Sequence, residues 1–403
     1  MAKVVRHRWD GEWSAPSRRD RQPCTYEAYV PDPLVGRKIT LDGDVAADVA
    51  DAEAAVARLD AEATALTDTE VLARLLLRAE SVASSRIEGL EVGPRRLLRA
   101  EVARQTAESA EFAEPAVDVT AGEVLANVDA MTRTVQSTAV GEPITLDHIL
   151  DFHRRLLAGS GIAEYAGQIR TEQNWIGGSD YNPCSAAFVP PPPELVEELL
   201  SDLCAFCNDD GLPVVAQAAI AHAQFETIHP FADGNGRTGR ALIHLVMRRR
   251  ALTSRVLLPV SLVLATWSRD YIDGLVRTRY NGPATSSAAH EGINIWIGRF
   301  AGACSRAVDD ANLFEQRSQD IQRQWRARLG TVRRGSAVDL LLPMLVGTPI
   351  ITAGGAATLI GRSFPQTNQA ISRLVAAGIL AQVTVGRRNR AFEAPEVIAA
   401  FTD

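Results

Sequence analysis

One stretch of twelve residues, from His229 to Arg240, restricts what this chain can be more than any other feature of its sequence. It reads HPFADGNGRTGR and stands between two apolar stretches with helical periodicity, residues 213–228 and 237–249. The stretch therefore predicts a loop that joins two packed helices. Its two glycines and its asparagine stand where the second helix begins, and there successive backbone N–H groups can point toward a bound anion.

The charged side chains of this stretch suit an anion with several phosphate groups. Arg237 and Arg240 are three residues apart on the second helix, so both guanidinium groups lie on one face. Asp233 offers the carboxylate oxygen that Mg²⁺ uses when it bridges phosphates. His229 can accept a proton near neutral pH. Each feature alone is ordinary, since a single histidine is usually a core residue and paired arginines usually face solvent. Together they indicate a polyphosphate site with a general base.

The same twelve residues match every fixed position of the motif HxFx[D/E]GNGRxxR and thereby resemble the Fic family. The resemblance covers roughly residues 25–300 and implies transfer of AMP from Mg-ATP to a Tyr, Thr or Ser hydroxyl of a protein. It implies that His229 deprotonates this hydroxyl and that Asp233 holds Mg²⁺. Phe231 is interpreted as the core anchor of the loop. The phosphate-binding roles fall on Gly234, Asn235, Gly236, Arg237 and Arg240.

A second motif, Ser84-Ser-Arg-Ile-Glu88-Gly89, lies at the end of a predicted helix. Ser84 and Glu88 are four residues apart and share one helix face, and alone such a pair would be expected to face solvent. Beside the Fic motif it resembles the inhibitory motif [S/T]xxxE[G/N] of that family. The resemblance implies that Glu88 contacts Arg240 and takes the place of the ATP γ-phosphate. Because the motif is in the same chain, the contact would form within one protomer or between the protomers of a homodimer.

Residues 167–193 interrupt the helical pattern just before the motif helices. Trp175 and Ile176 precede a turn sequence, and Phe188 and Val189 follow it, which predicts a short hairpin. It resembles the flap of the Fic family, which lies over the active site and pairs with the target backbone by strand addition. Trp175 and Ile176 are therefore expected to dock the target, with a plain surface hairpin as the alternative.

The composition predicts a cytoplasmic globular protein without a membrane partner. Of the 403 residues, 46% are hydrophobic and 23% charged, and the longest apolar stretch, residues 256–267, is too short to span a bilayer. Five scattered cysteines argue against a disulfide framework, and Cys204 and Cys207 are expected to be buried thiols rather than zinc ligands. His148 and His153, five residues apart on a predicted helix, are interpreted as ordinary residues.

Residues 331–403 form a separate unit whose order of helices and hairpin resembles a winged helix-turn-helix domain. The sequence PQTNQAISRLVAAG would be its recognition helix and residues 386–390 its wing. Its net charge of +3, in a chain of net charge −7, favours a nucleic-acid partner, with plain protein docking as the alternative. The side chains able to read adenine edges are Gln366, Asn368 and Gln369.

The predicted fold is mainly α: a Fic helical core with a small β-hairpin flap and a C-terminal winged helix-turn-helix domain. An N-terminal helical region with the inhibitory helix is expected in residues 1–112, and a catalytic core in residues 113–330. The winged helix would occupy residues 331–403. Within the first region, residues 1–35 lack helical periodicity and are expected to run extended over the surface.

The predicted function is that of a protein adenylyltransferase that uses ATP and Mg²⁺ and is inhibited by Glu88. Two alternatives stay open: removal of AMP from a modified protein at the same site, and a DNA-binding regulator that responds to nucleotide. Tyr271 or Tyr280 would pack on the adenine, or both would be core residues.

Overall fold

The structure of the protein, a computed structural model, describes residues 1–11, 14–62, 69–107, 118–383 and 390–400. Helices dominate this part of the chain, as the sequence predicted. The N-terminal elements are β1 (Lys3–Trp9), β2 (Cys24–Val30), α1 (Gly43–Glu62), α2 (Thr69–Ile87), α3 (Pro94–Ala107) and α4 (Val119–Ser137). The central elements are α5 (Leu146–Leu157), α6 (Val196–Cys207), α7 (Val214–Ile228), α8 (Asn235–Arg249), α9 (Val260–Thr266), α10 (Ser268–Arg277) and α11 (Ser287–Leu329). The C-terminal elements are α12 (Ala337–Gly347), β3 (Ile350–Thr352), α13 (Ala353–Ile360), α14 (Phe364–Ala376), β4 (Ala381–Gln382), β5 (Ala391–Glu393) and α15 (Pro395–Ala400).

The centre of the fold is α7, in which every residue is buried. Its sequence is apolar on nearly all sides, which is typical of a helix surrounded by other helices. It packs between α6, α8 and α11. A Cβ atom at Gly239 of α8 would lie only 2.6 Å from Oε1 of Glu226. The close packing of α8 on α7, which positions the motif loop, therefore requires this glycine.

The N-terminal segment, residues 1–35, contains a two-stranded hairpin rather than a single extended stretch. β1 and β2 are antiparallel, with Lys3 opposite Val30 and Trp9 opposite Cys24. The backbone N–H of Tyr29 in β2 donates a hydrogen bond of 2.9 Å to the carbonyl of Val189. The hairpin thus lies directly beside the predicted flap.

Cys24 and Cys184 form a disulfide, with Cα atoms 6.1 Å apart. The bond joins the start of β2 to a short 3₁₀ turn within the predicted flap. The expectation that the scattered cysteines argue against disulfides was wrong for this pair, because 160 residues separate the two and only the fold brings them together. Cys204 and Cys207 are buried and unpaired, as expected, and burial raises the pKa of the Cys204 thiol to about 11.

The long helix α11 connects the central core to the C-terminal unit. It packs on α1, α7 and α10. Near its end, Ile321 and Trp325 join the hydrophobic core of the C-terminal unit, and the Trp325 indole N–H donates to Glu396 at 2.8 Å. The C-terminal core therefore begins before residue 331, and the predicted domain limits stay predictions. Over the described ranges, no helix is both long and apolar enough to cross a membrane.

The C-terminal unit follows the predicted order of elements and adds the short strand β3 and the helix α15. Its three strands form an antiparallel sheet in the order β3-β5-β4. Most of the predicted wing, residues 386–389, lies outside the described residues. The winged-helix assignment stays a prediction.

Candidate functional site

The motif stretch forms a tight corner between α7 and α8. His229 follows α7 in the left-handed conformation, with φ 50° and ψ 61°, and its N–H donates to the Phe225 carbonyl at 2.9 Å. The ring is half-buried, and burial lowers the pKa of the His229 imidazole to about 4, with Arg170 adding to the effect. The imidazole is therefore neutral near neutral pH and able to accept a proton.

Phe231 and Asn235 hold the loop in its shape. The Phe231 ring is fully buried, as predicted for a core anchor. The Asn235 side chain accepts from the Phe231 N–H and donates to the Phe231 carbonyl, both at 2.8 Å. Both ends of its side-chain amide are therefore used within the loop, and Asn235 is the first residue of α8. Gly234, with φ 75°, allows the tight turn that precedes α8.

The carboxylate of Glu88 lies where the sequence predicted an anion. A Cβ atom placed on Gly236 would collide with the Glu88 carboxylate, so this carboxylate lies directly against the first turn of α8. Arg240 is 1% exposed, and its Nη2 donates to Glu88 Oε1 at 2.8 Å. The same guanidinium donates to the hydroxyl of Ser84 at 2.9 Å and to its carbonyl at 2.7 Å. The expected contact between the two motifs is present within one chain.

The electrostatics of the pair are those of a carboxylate bound at an anion site. Burial by itself would raise the pKa of the Glu88 carboxyl, but the charge and hydrogen bond of Arg240 outweigh it and hold the pKa below its ordinary value. Arg237 adds to this lowering. Glu88 is therefore ionised at neutral pH, and its negative charge offsets the positive charge of Arg240.

Asp233 and Arg237 form an ion pair at the start of α8. The Asp233 side chain is 55% exposed, and Arg237 Nη2 lies 3.3 Å from its Oδ2. Arg237 itself is almost fully buried. In the part of the chain that the structure describes, no group of three or more His, Cys, Asp or Glu side chains could hold a metal ion. A single exposed carboxylate fits Mg²⁺ that takes its other ligands from water and phosphates, as this ion commonly does.

Three side chains outside the motif, those of His153, Arg170 and Asn174, contact the backbone of its loop. Nδ1 of His153 accepts the Gly167 N–H at 2.9 Å, so its Nε2 carries hydrogen and donates to the Asp233 carbonyl at 3.0 Å. The His153 ring also stacks on Phe231, with centroids 3.7 Å apart. Burial lowers the pKa of His153 to about 4. The interpretation of His153 as ordinary missed these contacts, which spacing along α5 cannot reveal.

Arg170 and Asn174 support the loop from the segment before the flap. The guanidinium of Arg170 donates to the carbonyls of His229 and Pro191, at 2.9 and 2.5 Å. The amide of Asn174 donates to the carbonyls of His229 and Phe231, at 3.1 and 2.9 Å. The backbone at His229 and Phe231 is thus fixed by long-range contacts.

The predicted flap is a small hairpin beside this loop. Ile176 and Phe188 form its antiparallel bridge, and Ile176 is 38% exposed. The Trp175 indole N–H donates to the Ser179 carbonyl at 2.7 Å, and Trp9 of β1 meets Trp175 edge-on. Trp175 is therefore held by the N-terminal hairpin, whereas Ile176 is accessible. The docking role of both residues stays a prediction.

Behind the loop lies a layer of buried polar side chains. Tyr271 bonds to Nε2 of His222 at 2.9 Å, and Tyr280 donates to Asp32 at 2.6 Å. Both tyrosines are buried. Their burial fits the interpretation of both tyrosines as core residues better than stacking of either one on the adenine. Burial raises the pKa of the neighbouring Glu226 carboxyl to about 7.

These features define a helical protein with a preformed anion-binding corner and a neutral histidine beside it. Comparison with known families agrees: the Fic/DOC family matches residues 143–247, and the Fic/DOC family N-terminal region matches residues 46–136. Over these two segments the chain is similar to the Fic/DOC family.

Relatives and one solved structure define how far the similarity reaches. Protein adenylyltransferase fic-1 of Caenorhabditis elegans is 40% identical over 122 residues, which cover 30% of this chain and 22% of that protein. Protein adenylyltransferase Fic of Nematostella vectensis is 30% identical over 191 residues, 46% of this chain and 38% of that protein. The chain thus spans well under half of these relatives. A Fic family protein from Desulfovibrio desulfuricans G20 has the same fold, with a TM-score of 0.54 at 19% identity over 91% of this chain and 98% of its own.

Proposed function

We propose that this protein transfers AMP from ATP to a hydroxyl side chain of a target protein, and that Glu88 restrains the reaction. The observation that carries the proposal is the ionised Glu88 carboxylate bound between Arg240 and the first turn of α8. A corner that binds this carboxylate is preformed for a phosphate, because both are anions that use helix N–H groups and an arginine fork. The names of the two curated relatives support the same activity.

His229 is the general base in this proposal. Its neutral imidazole takes the proton from the target hydroxyl, and the hydroxyl oxygen bonds to the α-phosphorus of ATP. The bond between the α-phosphorus and the bridging oxygen breaks, and pyrophosphate leaves with the bonding electrons. The left-handed turn at His229, braced by Arg170 and Asn174, fixes the imidazole for this step.

The phosphates would be bound by the first turn of α8 and its arginines. The Glu88 carboxylate now lies directly against Gly236 in this turn and is bound by Arg240, and Arg237 lies between these two residues on α8. Asp233 would hold Mg²⁺, whose charge would offset that of the phosphates. Displacement of Glu88 by the γ-phosphate, or its removal, would free Arg240 for the nucleotide.

The flap would align the target beside His229. Trp175 is fixed by its hydrogen bond and by Trp9, while Ile176 is exposed at the edge of a hairpin that could accept an added strand. We propose that this edge binds the backbone around the modified Tyr, Thr or Ser.

Transfer of AMP predicts that label from the α-phosphate of ATP, but not from the γ-phosphate, becomes bound to protein. The Glu88→Gly protein, incubated with cell lysate, Mg²⁺ and each labelled ATP, should show α-label on protein bands that chelation of the metal abolishes. Mass spectrometry of those bands would identify the hydroxyl. Label from the γ-phosphate on the same bands would instead indicate phosphate transfer and contradict the proposal.

Removal of AMP is the second candidate, because the partly exposed Glu88 carboxylate could orient a water molecule beside the loop. Incubation of a modified target with wild-type protein separates the two activities. Release of free AMP that Glu88→Gly abolishes would establish removal, whereas no release would leave transfer alone.

DNA binding by the C-terminal unit is a further proposal. Gln366 and Gln369 are exposed on α14, and the Gln366 amide oxygen accepts from the Ser363 hydroxyl at 3.1 Å. Arg373, however, caps the backbone carbonyls of Leu329 and Thr331, so not every arginine of the unit is free for phosphates.

If the unit binds DNA, affinity in mobility-shift assays should fall steeply with salt, because phosphate contacts release counterions. Replacing Arg387 and Arg388 of the predicted wing together by alanine should lower the slope of log affinity against log salt by about two. Absence of a shift with DNA of its own promoter region, or salt-independent binding, would exclude this role.

A further inference from the structure

A fully buried polar cluster joins the inhibitory helix to the motif helix, one turn beyond Arg240. Glu80 of α2 is 0% exposed. Its Oε1 lies 2.8 Å from Nε2 of His244 in α8, and its Oε2 accepts the backbone N–H of Ser261 at 2.7 Å. The Ser261 hydroxyl also donates to Glu80 Oε1. These three residues, the Glu80 cluster, have no part in the proposed chemistry.

The Glu80 cluster continues the contacts of the inhibitory motif along one face of α2. Glu80, Ser84 and Glu88 are spaced by four residues and so lie one above another on the helix. Their partners on α8 run in the opposite direction with the same spacing: His244 for Glu80, Arg240 for Ser84 and Gly236 for Glu88. The two antiparallel helices are therefore joined by polar contacts at two successive positions, and at the third position Glu88 lies directly against Gly236.

Such a buried cluster tolerates little movement of α2. A slip by one residue would move a helix by about 1.5 Å and turn it by about 100°, which would remove the Glu80 carboxylate from both partners. A buried carboxylate that loses its hydrogen bonds is strongly unfavourable. The contact of Glu88 with Arg240, by contrast, lies at the exposed end of α2. It must break before the γ-phosphate of ATP can bind Arg240.

We propose that the Glu80 cluster fixes the position and rotation of α2 so that Glu88 reaches Arg240, which makes Glu80 a positioning residue for inhibition. The inference rests on the proposed function. Asn127 of α4 holds a different face of α2, by donating to the Ser81 carbonyl and the Ser85 hydroxyl. It secures α2 against α4, whereas the Glu80 cluster sets its register on α8.

The test compares the Glu80→Ala protein with a matched control. Asp60 of α1 is also a buried carboxylate that accepts from a serine hydroxyl and from backbone N–H groups, in the segment 254–256. AMP incorporation from α-labelled ATP should rise at least about fivefold in Glu80→Ala, a coupling of ordinary size. Asp60→Ala should show no rise, although it loses the same kind of contacts. Thermal unfolding of both proteins would measure the stability that each has lost.

The decisive comparison is made in the Glu88→Gly background, where no inhibitory carboxylate is left to position. There, addition of Glu80→Ala should change incorporation by no more than about twofold, since its effect passes through Glu88. Glu80→Gln, which can still accept the Ser261 N–H, should keep more inhibition than Glu80→Ala, and it serves as the test protein if Glu80→Ala does not fold.

Each outcome has a separate meaning. Unchanged activity of Glu80→Ala and Glu80→Gln, with Glu88→Gly active, would overturn the positioning role and leave the proposed function intact. A rise of similar size in both backgrounds would also overturn it. If Glu88→Gly itself is no more active than wild type, the proposed inhibition by Glu88 is refuted before the role of Glu80 is tested.

Discussion

Glu88→Gly is expected to change a nearly inactive protein into an active AMP transferase, with an increase of about a hundredfold or more in the rate of incorporation. In the wild type, Glu88 binds Arg240 and covers the first turn of α8, so ATP that enters must place its γ-phosphate elsewhere. The α-phosphorus is then out of line with the target hydroxyl. Removal of the carboxylate frees both groups, and α-labelled ATP with a gel readout measures the gain, including modification of the protein itself.

The matched control combines this change with Arg240→Ala. The double variant should lose the gain, because the freed arginine is the group that would bind the phosphate. Thermal unfolding should show that Glu88→Gly keeps the fold, since the Glu88 side chain is 35% exposed and few buried contacts depend on it. Equal incorporation by wild type and Glu88→Gly at several Mg²⁺ concentrations would mean that α2 is structural only.

His229→Ala, made in the Glu88→Gly background, should lower incorporation by about a hundredfold to ten-thousandfold, the usual contribution of a general base. Binding of Mg-ATP, followed by calorimetry, should change little, because the imidazole acts only on the attacking hydroxyl. His148→Ala is a suitable control, since this histidine contacts Thr145 and Glu142 at the start of α5. Normal transfer by His229→Ala would refute the proposed mechanism.

The pH profile of Glu88→Gly should carry the signature of the same histidine. The base must be neutral, and burial lowers the pKa of His229 to about 4, so activity should be present above this value and lost as pH falls through it. Since Glu88 raises the pKa of His229, removal of Glu88 should shift the loss of activity to slightly lower pH. A decline centred near the ordinary histidine pKa of about 6.5 would show that the ring is not held as described.

The sequence by itself determined the mainly helical fold and the content of the motif corner. Within that corner the contacts are local: Asn235 bonds to Phe231 and Arg237 reaches Asp233, each across four residues. Spacing along the chain therefore fixes which groups meet. The prediction that Glu88 meets Arg240 came from resemblance alone, because nothing in the spacing of two segments 152 residues apart requires it.

Only the tertiary structure decided what surrounds the corner. His153 lies 80 residues from the carbonyl that it holds, Cys24 lies 160 residues from Cys184, and Glu80 lies 164 residues from His244. A buried polar side chain must find a partner, but which partner it finds depends on how the helices pack. The sequence shows which side chains are polar and would need a partner if buried. The packing of α2, α5 and the predicted flap against the motif corner decides which partners they find.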